Sequence, residues 1–224
     1  MNELLGGLNG GSVPTLELIY MLTLLALLPS LVIMMTSFTR TIIILSFTRN
    51  ALGVQQTPPN MVLVGMALFL TLFTMGPVLS EVKTTAYDPY VDGTIGQEEF
   101  FQQAVIPLKS FMARNTQVNT LQMFCDLADV DMPEEVNTQN VAADVPLRVV
   151  VPAFITCELQ RAFFIGLLLY IPFMLIDIVV SCTLMSMGMI MLPPSMISAP
   201  FKLLLFVTLN GWELLFSALV RGVN

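Results

Sequence analysis

Four apolar runs decide what this chain of 224 residues can fold into. About 20 consecutive apolar residues are enough for a helix to cross the hydrocarbon core of a bilayer. Only 11% of the residues are charged, whereas soluble domains carry about 25%. The sequence therefore predicts an all-α integral membrane protein built from helical hairpins. The runs close to or above the required length are residues 18–38, 61–79, 162–191 and 203–220.

A block of acidic residues separates the runs into two pairs. Twelve of the sixteen Asp and Glu residues lie between Glu81 and Glu158, together with only four Lys and Arg residues. We expect this block to face water and to disfavour nucleic acid as a partner, because phosphates would be repelled. Four segments are predicted: a flexible N-terminal head (1–15), a first helical hairpin (16–80), an acidic extracytoplasmic helical insertion (81–157), and a second helical hairpin with a methionine-rich turn (158–224).

Basic residues set the expected orientation. Arg40 and Arg49 lie in the connection between the first two apolar runs, which contains no acidic residue. Connections rich in Arg and Lys tend to stay in the cytoplasm, so the acidic insertion is expected outside it. Within the insertion, apolar periodicity predicts helices over residues 97–114 and 119–129, followed by a polar loop over residues 133–146.

Methionines are concentrated near one turn, and five of the sixteen lie within residues 185–196. The methionine side chain is unbranched and flexible, so it adapts to irregular gaps and to different partners. We expect Gly188 to loosen the helix and the prolines at 193–194 to end it, so that Met189 and Met191 project together. Unwound backbone at membrane depth must be buried in protein or line an aqueous cavity. The turn is therefore either a deformable constriction or a methionine-rich packing turn.

No combination of residues points to catalysis, to a cofactor or to a metal site. The chain contains no histidine, which is the most common general acid or base, and it lacks the familiar hydrolase, P-loop and zinc-protease motifs. Cys125, Cys157 and Cys182 lack metal-site or redox spacing. Free thiols are expected, with a pair between Cys125 and Cys157 as the alternative. We therefore do not expect an enzyme.

Charged residues within the apolar runs form a second set of candidates. Asp177 lies where ionisable groups are usually functional or paired, so it serves either a structural ion pair or proton transfer in a small ion-coupled carrier. Glu158 and Arg161 are spaced to pair along one helix. Lys202 either reaches water at the interface or meets an acid. About 30 residues at 1.5 Å each separate the ends of a simple hairpin, so we expect Lys202 to pair with Glu158 of another copy, or alternatively with Asp177.

Six motifs are spread over about residues 16–219. They are Met-Thr-Ser-Phe-Thr-Arg at 35–40, Arg-Asn-Ala-Leu-Gly at 49–53, Pro-Pro-Asn at 58–60, the methionine turn at 185–194, Pro-Phe-Lys-Leu at 200–203 and Asn-Gly-Trp at 210–212. In sequence and in order they resemble the FliP family of flagellar biosynthetic proteins. At Ile190 members of that family usually carry the second of three consecutive methionines, and many begin with a cleaved signal sequence that residues 1–15 do not resemble.

The resemblance implies a pore-forming subunit of the flagellar type III protein export gate, in the bacterial inner membrane and on its periplasmic side within the flagellar basal body. It implies a helical oligomer in which five copies join FliQ and FliR, with FlhB and FlhA as further partners. Secreted flagellar polypeptides would pass through it unfolded. The implied gasket residues are Met187, Met189, Ile190 and Met191. From the residues themselves, we expect Arg40 and Asp177 as intramembrane polar groups and Glu158–Lys202 as a charge pair between subunits.

Overall fold

The computed structural model describes residues 15–54, 57–133, 137–189 and 191–223, and all of its regular elements are helices. The all-α prediction is thus confirmed for this part of the chain. Nearly all of the expected N-terminal head lies outside the described residues. The helices are α1 (Thr15–Met34), α2 (Phe38–Ala51), α3 (Asn60–Thr74), α4 (Gly76–Val82), α5 (Asp88–Val91), α6 (Gln97–Arg114), α7 (Val118–Ala128), α8 (Thr138–Asp144), α9 (Leu147–Ser186), α10 (Pro194–Thr208) and α11 (Gly211–Arg221), with a π-helical turn (Lys83–Tyr87) between α4 and α5.

The candidate membrane spans are one unbroken helix and two bent helix pairs. Among the described residues, α9 is the one helix long and apolar enough to cross a membrane by itself. The number of spans rises to three if each of two bent helix pairs counts as one span. These pairs are α3 with Gly76–Val91, bent by 57°, and α10 with α11, bent by 64°. The helix breaks within the predicted runs at 61–79 and 203–220, so each of them crosses the membrane as one span only if its bent pair does.

The second bend depends on the Asn-Gly-Trp motif. Asn210 adopts a left-handed backbone with φ of 50°, which few residue types other than Gly and Asn tolerate. A side-chain carbon added to Gly211 would lie 2.4 Å from the Phe206 ring. That ring meets Trp212 edge to face, with a centroid distance of 5.1 Å. The corner between α10 and α11 is therefore fixed by packing as well as by backbone conformation.

The insertion has its own core, which α9 enters directly. Helix α6 has the predicted bounds, and α7 begins and ends one residue before its predicted limits. The polar loop expected over residues 133–146 is partly wrong, because α8 forms there and the Asn137 side chain accepts a hydrogen bond from the Asn140 amide at 2.8 Å. The core residues include Phe111, Met112, Leu121, Cys125, Val149 and Phe154.

Helix α9 joins the insertion to the rest of the chain. Its first part is buried in the insertion core, and its middle packs on α2, with Ala162 in a second core beside Ile44 and Leu45. Beyond this point most of its large apolar side chains are exposed. The helix continues through the predicted boundary between residues 157 and 158, so the two segments share one helix.

Candidate functional site

The methionine turn begins where α9 ends. Gly188 has a left-handed backbone with φ of +74°. The Met189 amide donates to the Leu184 carbonyl at 3.1 Å, and the Gly188 amide donates to the Met185 carbonyl at 3.0 Å. These two bonds define a Schellman motif, in which a left-handed residue closes a helix. Gly188 itself therefore ends the helix, five residues before the first of the two prolines.

The two prolines instead start the following helix. Pro193 has an extended backbone before α10, and Pro194 is the first helical residue, a position where the missing amide hydrogen is not needed. Between the helices, Met187, Met189 and Met191 have 73%, 40% and 99% of their surface exposed. Ile190 lies outside the described residues. In the single chain these three methionine side chains are exposed to different extents, and Met191 is almost fully exposed.

A buried ion pair connects α2 with α9. Arg40 donates from Nε to Glu158 Oε2 at 2.6 Å and from Nη2 to Glu158 Oε1. Only 3% of the arginine side chain and 1% of the glutamate side chain are exposed. Two parallel hydrogen bonds of this kind fix orientation as well as charge. The pair therefore sets how the two helices pack.

Three further groups complete this first charge cluster. Arg40 Nη1 donates to the Gly222 carbonyl at 2.6 Å, and Nη2 donates to Asn115 Oδ1 at 3.3 Å. Arg161 also donates to Asn115 Oδ1, at 3.4 Å, and lies 3.8 Å from Glu158 Oε1. The expected pairing of Glu158 with Arg161 is therefore confirmed as the weaker of the two contacts. Through Arg40, the cluster connects α2, the end of α6, α9 and the end of the chain.

A second charge cluster bridges the hairpin formed by α9 and α10. Lys202 Nζ donates to Asp177 Oδ2 at 2.6 Å and to the Ala51 carbonyl at 3.2 Å. The Ser198 hydroxyl donates to Asp177 Oδ1 at 2.6 Å. Lys202 and Ser198 are buried, whereas 40% of the Asp177 side chain is exposed. Both carboxylate oxygens are thus hydrogen-bonded, and the ammonium group is neutralised inside the hairpin.

Comparison with known proteins assigns the chain to a family. A model of the FliP family matches residues 21–219. The chain belongs to the FliP family. It is 45% identical to the flagellar biosynthetic protein FliP of Aquifex aeolicus (strain VF5), an alignment that covers 96% of this chain and 88% of the relative.

Two other relatives give similar values. FliP of Bacillus subtilis (strain 168) is 46% identical, over 93% of this chain and 91% of the relative. FliP of Pectobacterium carotovorum subsp. carotovorum is 47% identical, over 96% of this chain and 81% of the relative. Membership of the FliP family identifies a non-enzymatic membrane protein of flagellar biosynthesis, as predicted.

In this FliP family member, Glu158 and Lys202 each have a partner within their own chain: Glu158 meets Arg40, and Lys202 meets Asp177. The Glu158–Lys202 contact between copies stays a prediction, because one chain does not test it. The position of the turn explains the pair of Lys202 with Asp177. Asp177 lies 12 residues before Met189 and Lys202 lies 13 residues after it, so the two antiparallel helices bring them side by side.

Several partners in the clusters were not identified from sequence. Asn115 and Ser198 are ordinary polar residues without a motif, and the Ala51 and Gly222 contacts come from backbone carbonyls. In the sequence, Asp177 and Lys202 lie at similar distances from the turn, and this spacing was the signal that could have predicted their pairing. Backbone acceptors leave no trace in a sequence, because every residue carries one.

The three cysteines are free thiols, as expected from their odd number together with their wide spacing. Cys125 and Cys157 are buried, and Cys182 is exposed. Burial, together with the nearby charge of Asp126, raises the pKa of the Cys125 thiol. Within the described residues, no group of three or more Cys, Asp or Glu side chains is placed to hold a metal ion.

Proposed function

We propose that this chain is a pore-forming subunit of the flagellar type III protein export gate and that it passes unfolded polypeptide through a methionine-lined constriction. The observation that carries this proposal is the exposure of Met187, Met189 and Met191 on a turn that the rest of the chain leaves uncovered. Family membership supplies the setting, since the matched relatives are flagellar biosynthetic proteins.

Methionine side chains have the physical properties that such a constriction needs. Their thioethers are polarisable and bind hydrogen-bond donors only weakly. A ring of them can therefore close against many different side chains without holding any one tightly. Ile190 belongs to the same turn, but its β-branch makes it stiffer, and we expect it to matter less than its neighbours.

Assembly into an oligomer accounts for the apolar surface that one chain leaves exposed. Soluble monomers rarely expose such a continuous apolar surface. Five copies would pack through these side chains and through FliQ and FliR, with FlhB, FlhA, the secreted flagellar polypeptides and membrane lipid as further partners. The exposed apolar side chains of α9 include Phe163, Phe164, Leu167, Leu168, Ile171 and Leu175.

The contacts at the two ends of α2 support a location in the bacterial inner membrane with the insertion on the periplasmic side. Near one end, Arg40 contacts Asn115 of the insertion. At the other end, the Ala51 carbonyl contacts Lys202 beside the methionine turn. The insertion and the turn thus lie toward opposite ends of one helix. Of the two basic residues in the connection between the first two apolar runs, Arg49 lies on the side of the turn, as the positive-inside rule favours. Arg40 lies at the insertion end, where Glu158 neutralises its charge.

The alternative of a small ion-coupled carrier centred on Asp177 is disfavoured by the geometry. A carrier needs a carboxylate that can exchange its ion or proton. Both Asp177 oxygens are already hydrogen-bonded, one to Ser198 and the other to Lys202. Each oxygen of the Asp177 carboxylate therefore has a structural partner within the chain.

Replacement of the gasket tests the proposal directly. Changing Met187, Met189 and Met191 together to Ala should leave assembly intact and raise the leakage of small solutes through the assembled complex. The matched control changes Met185 and Met196 to Ala, since these two are also exposed but lie within helices α9 and α10. Leakage equal to that of the control in a correctly assembled complex would show that the methionines do not seal a pore.

A further inference from the structure

An apolar cavity of about 370 Å³ lies between α9 and the bent α10–α11 pair. Both arms of the bend line it, with Leu205 before the corner and Leu215 after it. Among its described lining residues, Arg40 is the one that carries a charge. The remaining wall is almost entirely hydrocarbon, so water would find few hydrogen-bond partners there.

The walls of the cavity suit a hydrocarbon occupant. Its α9 wall runs from Ile165 to Phe173, which corresponds to about 12 Å along a helix. Over this length the cavity offers apolar contacts, and acyl chains are the solvent of a membrane helix. A lipid acyl chain therefore matches the chemistry of these walls.

Excess positive charge lies at the Arg40 end of the cavity. Arg40 and Arg161 share Asn115 and the single carboxylate of Glu158, so the group carries one net positive charge. Glu158 is bound bidentately by Arg40, which leaves Arg161 with a contact of only 3.8 Å. The Arg161 side chain is 34% exposed and lies one turn before Ile165, a residue of the cavity wall.

We propose that this cavity binds one acyl chain of an anionic membrane phospholipid and that Arg161 binds its phosphate. The charge of the guanidinium matches the headgroup, and its planar donors suit phosphate oxygens. The acyl chain fills apolar space that would otherwise remain empty. The bound lipid joins α9 to both arms of the α10–α11 bend and stabilises their arrangement. This site is independent of the proposed export role.

Lipid retention tests the proposal. The full-length protein is purified from vesicles that contain equal amounts of phosphatidylglycerol and phosphatidylcholine, and the lipids that remain bound are counted by native mass spectrometry. We expect the wild-type protein to retain phosphatidylglycerol preferentially. Arg161→Gln should reduce this preference about fivefold, the effect of one basic residue at an anionic surface. Arg148→Gln is the control, because Arg148 is exposed on the same helix but does not line the cavity.

A second variant tests the acyl-chain part. Leu169→Trp fills the cavity and should lower the retention of both lipids. Ala218→Leu fills less of it and serves if the tryptophan variant unfolds, which circular dichroism reports. Equal retention by the wild-type protein and all variants overturns the proposal. So does a loss of headgroup preference in Arg161→Gln with undiminished retention in both filled variants. Loss of oligomerisation in the filled variants without loss of lipid would assign the cavity to a side chain of another copy.

Discussion

Arg40 and Glu158 are 118 positions apart in the sequence and form a bidentate ion pair that is almost fully shielded from solvent. The pair fixes α2, from the first hairpin, against α9, which extends to the methionine turn. Asn115 and the Gly222 carbonyl satisfy further donors of the same guanidinium. The Arg40 side chain therefore connects parts of the protein that lie far apart in the sequence.

Removal of either charge should destabilise the fold strongly. Arg40→Gln leaves Glu158 buried without its main cation, and loss of one partner from a buried pair costs about 3–5 kcal/mol. We expect a large decrease in Tm, measured by thermal unfolding of the detergent-extracted protein. Arg148→Gln, an exposed change, should shift Tm little. Equal values of Tm for the two variants would contradict the central role of the pair.

Charge reversal at Lys202 should show whether its partner is Asp177 or Glu158. Lys202→Glu places two carboxylates together and should weaken both the fold and the assembly. Adding Asp177→Lys should restore part of the loss, because the charges are then exchanged across the same 2.6 Å contact. Adding Glu158→Lys instead should make the defect worse. Native mass spectrometry and thermal unfolding follow both effects, and rescue by Glu158→Lys alone would support the contact between copies.

Substitution at the corner of the last two helices should be costly. In Gly211→Ala the new carbon would lie 2.4 Å from the Phe206 ring, and such overpacking costs about 1–3 kcal/mol. Phe206→Leu in the same chain should relieve part of the loss. Gly65→Ala is the matched control, since nothing lies within 4 Å of its new carbon and alanine favours a helix interior. A similar Tm for the two alanine variants would show that the corner does not require glycine.

Thiol labelling should distinguish the three cysteines. In the folded single chain, Cys182 should react with a maleimide, whereas Cys125 and Cys157 should react only after unfolding. Because burial raises the pKa of Cys125, its folded thiol stays protonated at a pH where an unfolded thiol begins to ionise. Its contribution to stability is therefore lost as the pH rises above the ordinary cysteine range. Mass spectrometry of the labelled peptides checks the order of reaction, and fast labelling of Cys125 at neutral pH would contradict it.

The sequence predicts the residues that matter better than it predicts their partners. Composition and periodicity are local properties, so the helical class and the bounds of α6 follow from them. Arg40, Glu158 and Lys202 stand out because charge is expensive in apolar surroundings. Their pairing depends on helix packing and on the position of the turn. The position of the turn was not predicted correctly, because the prolines at 193–194 were expected to end α9, whereas Gly188 ends it.

Both helix breaks were also difficult to predict, because hydropathy does not register backbone conformation. The run at 61–79 remains apolar across Met75, where α3 ends and Pro77 follows in the first turn of α4. The run at 203–220 likewise continues across Asn210. In that case one left-handed residue and the close approach of Phe206 to Gly211 create the bend, and neither changes the apolar average.

The length of α9 has a mechanical consequence. Its 40 residues extend over about 60 Å, roughly twice the thickness of a bilayer's hydrocarbon core. One end is anchored in the insertion core, Glu158 holds the helix against α2, and the other end carries Met187. Asp177 holds the helix again through Lys202, which also contacts α2 at the Ala51 carbonyl. Only the nine residues after Asp177 form an unsupported arm, about 14 Å long. A rigid rotation of α9 therefore cannot displace the methionines far unless α2 and α10 move with it.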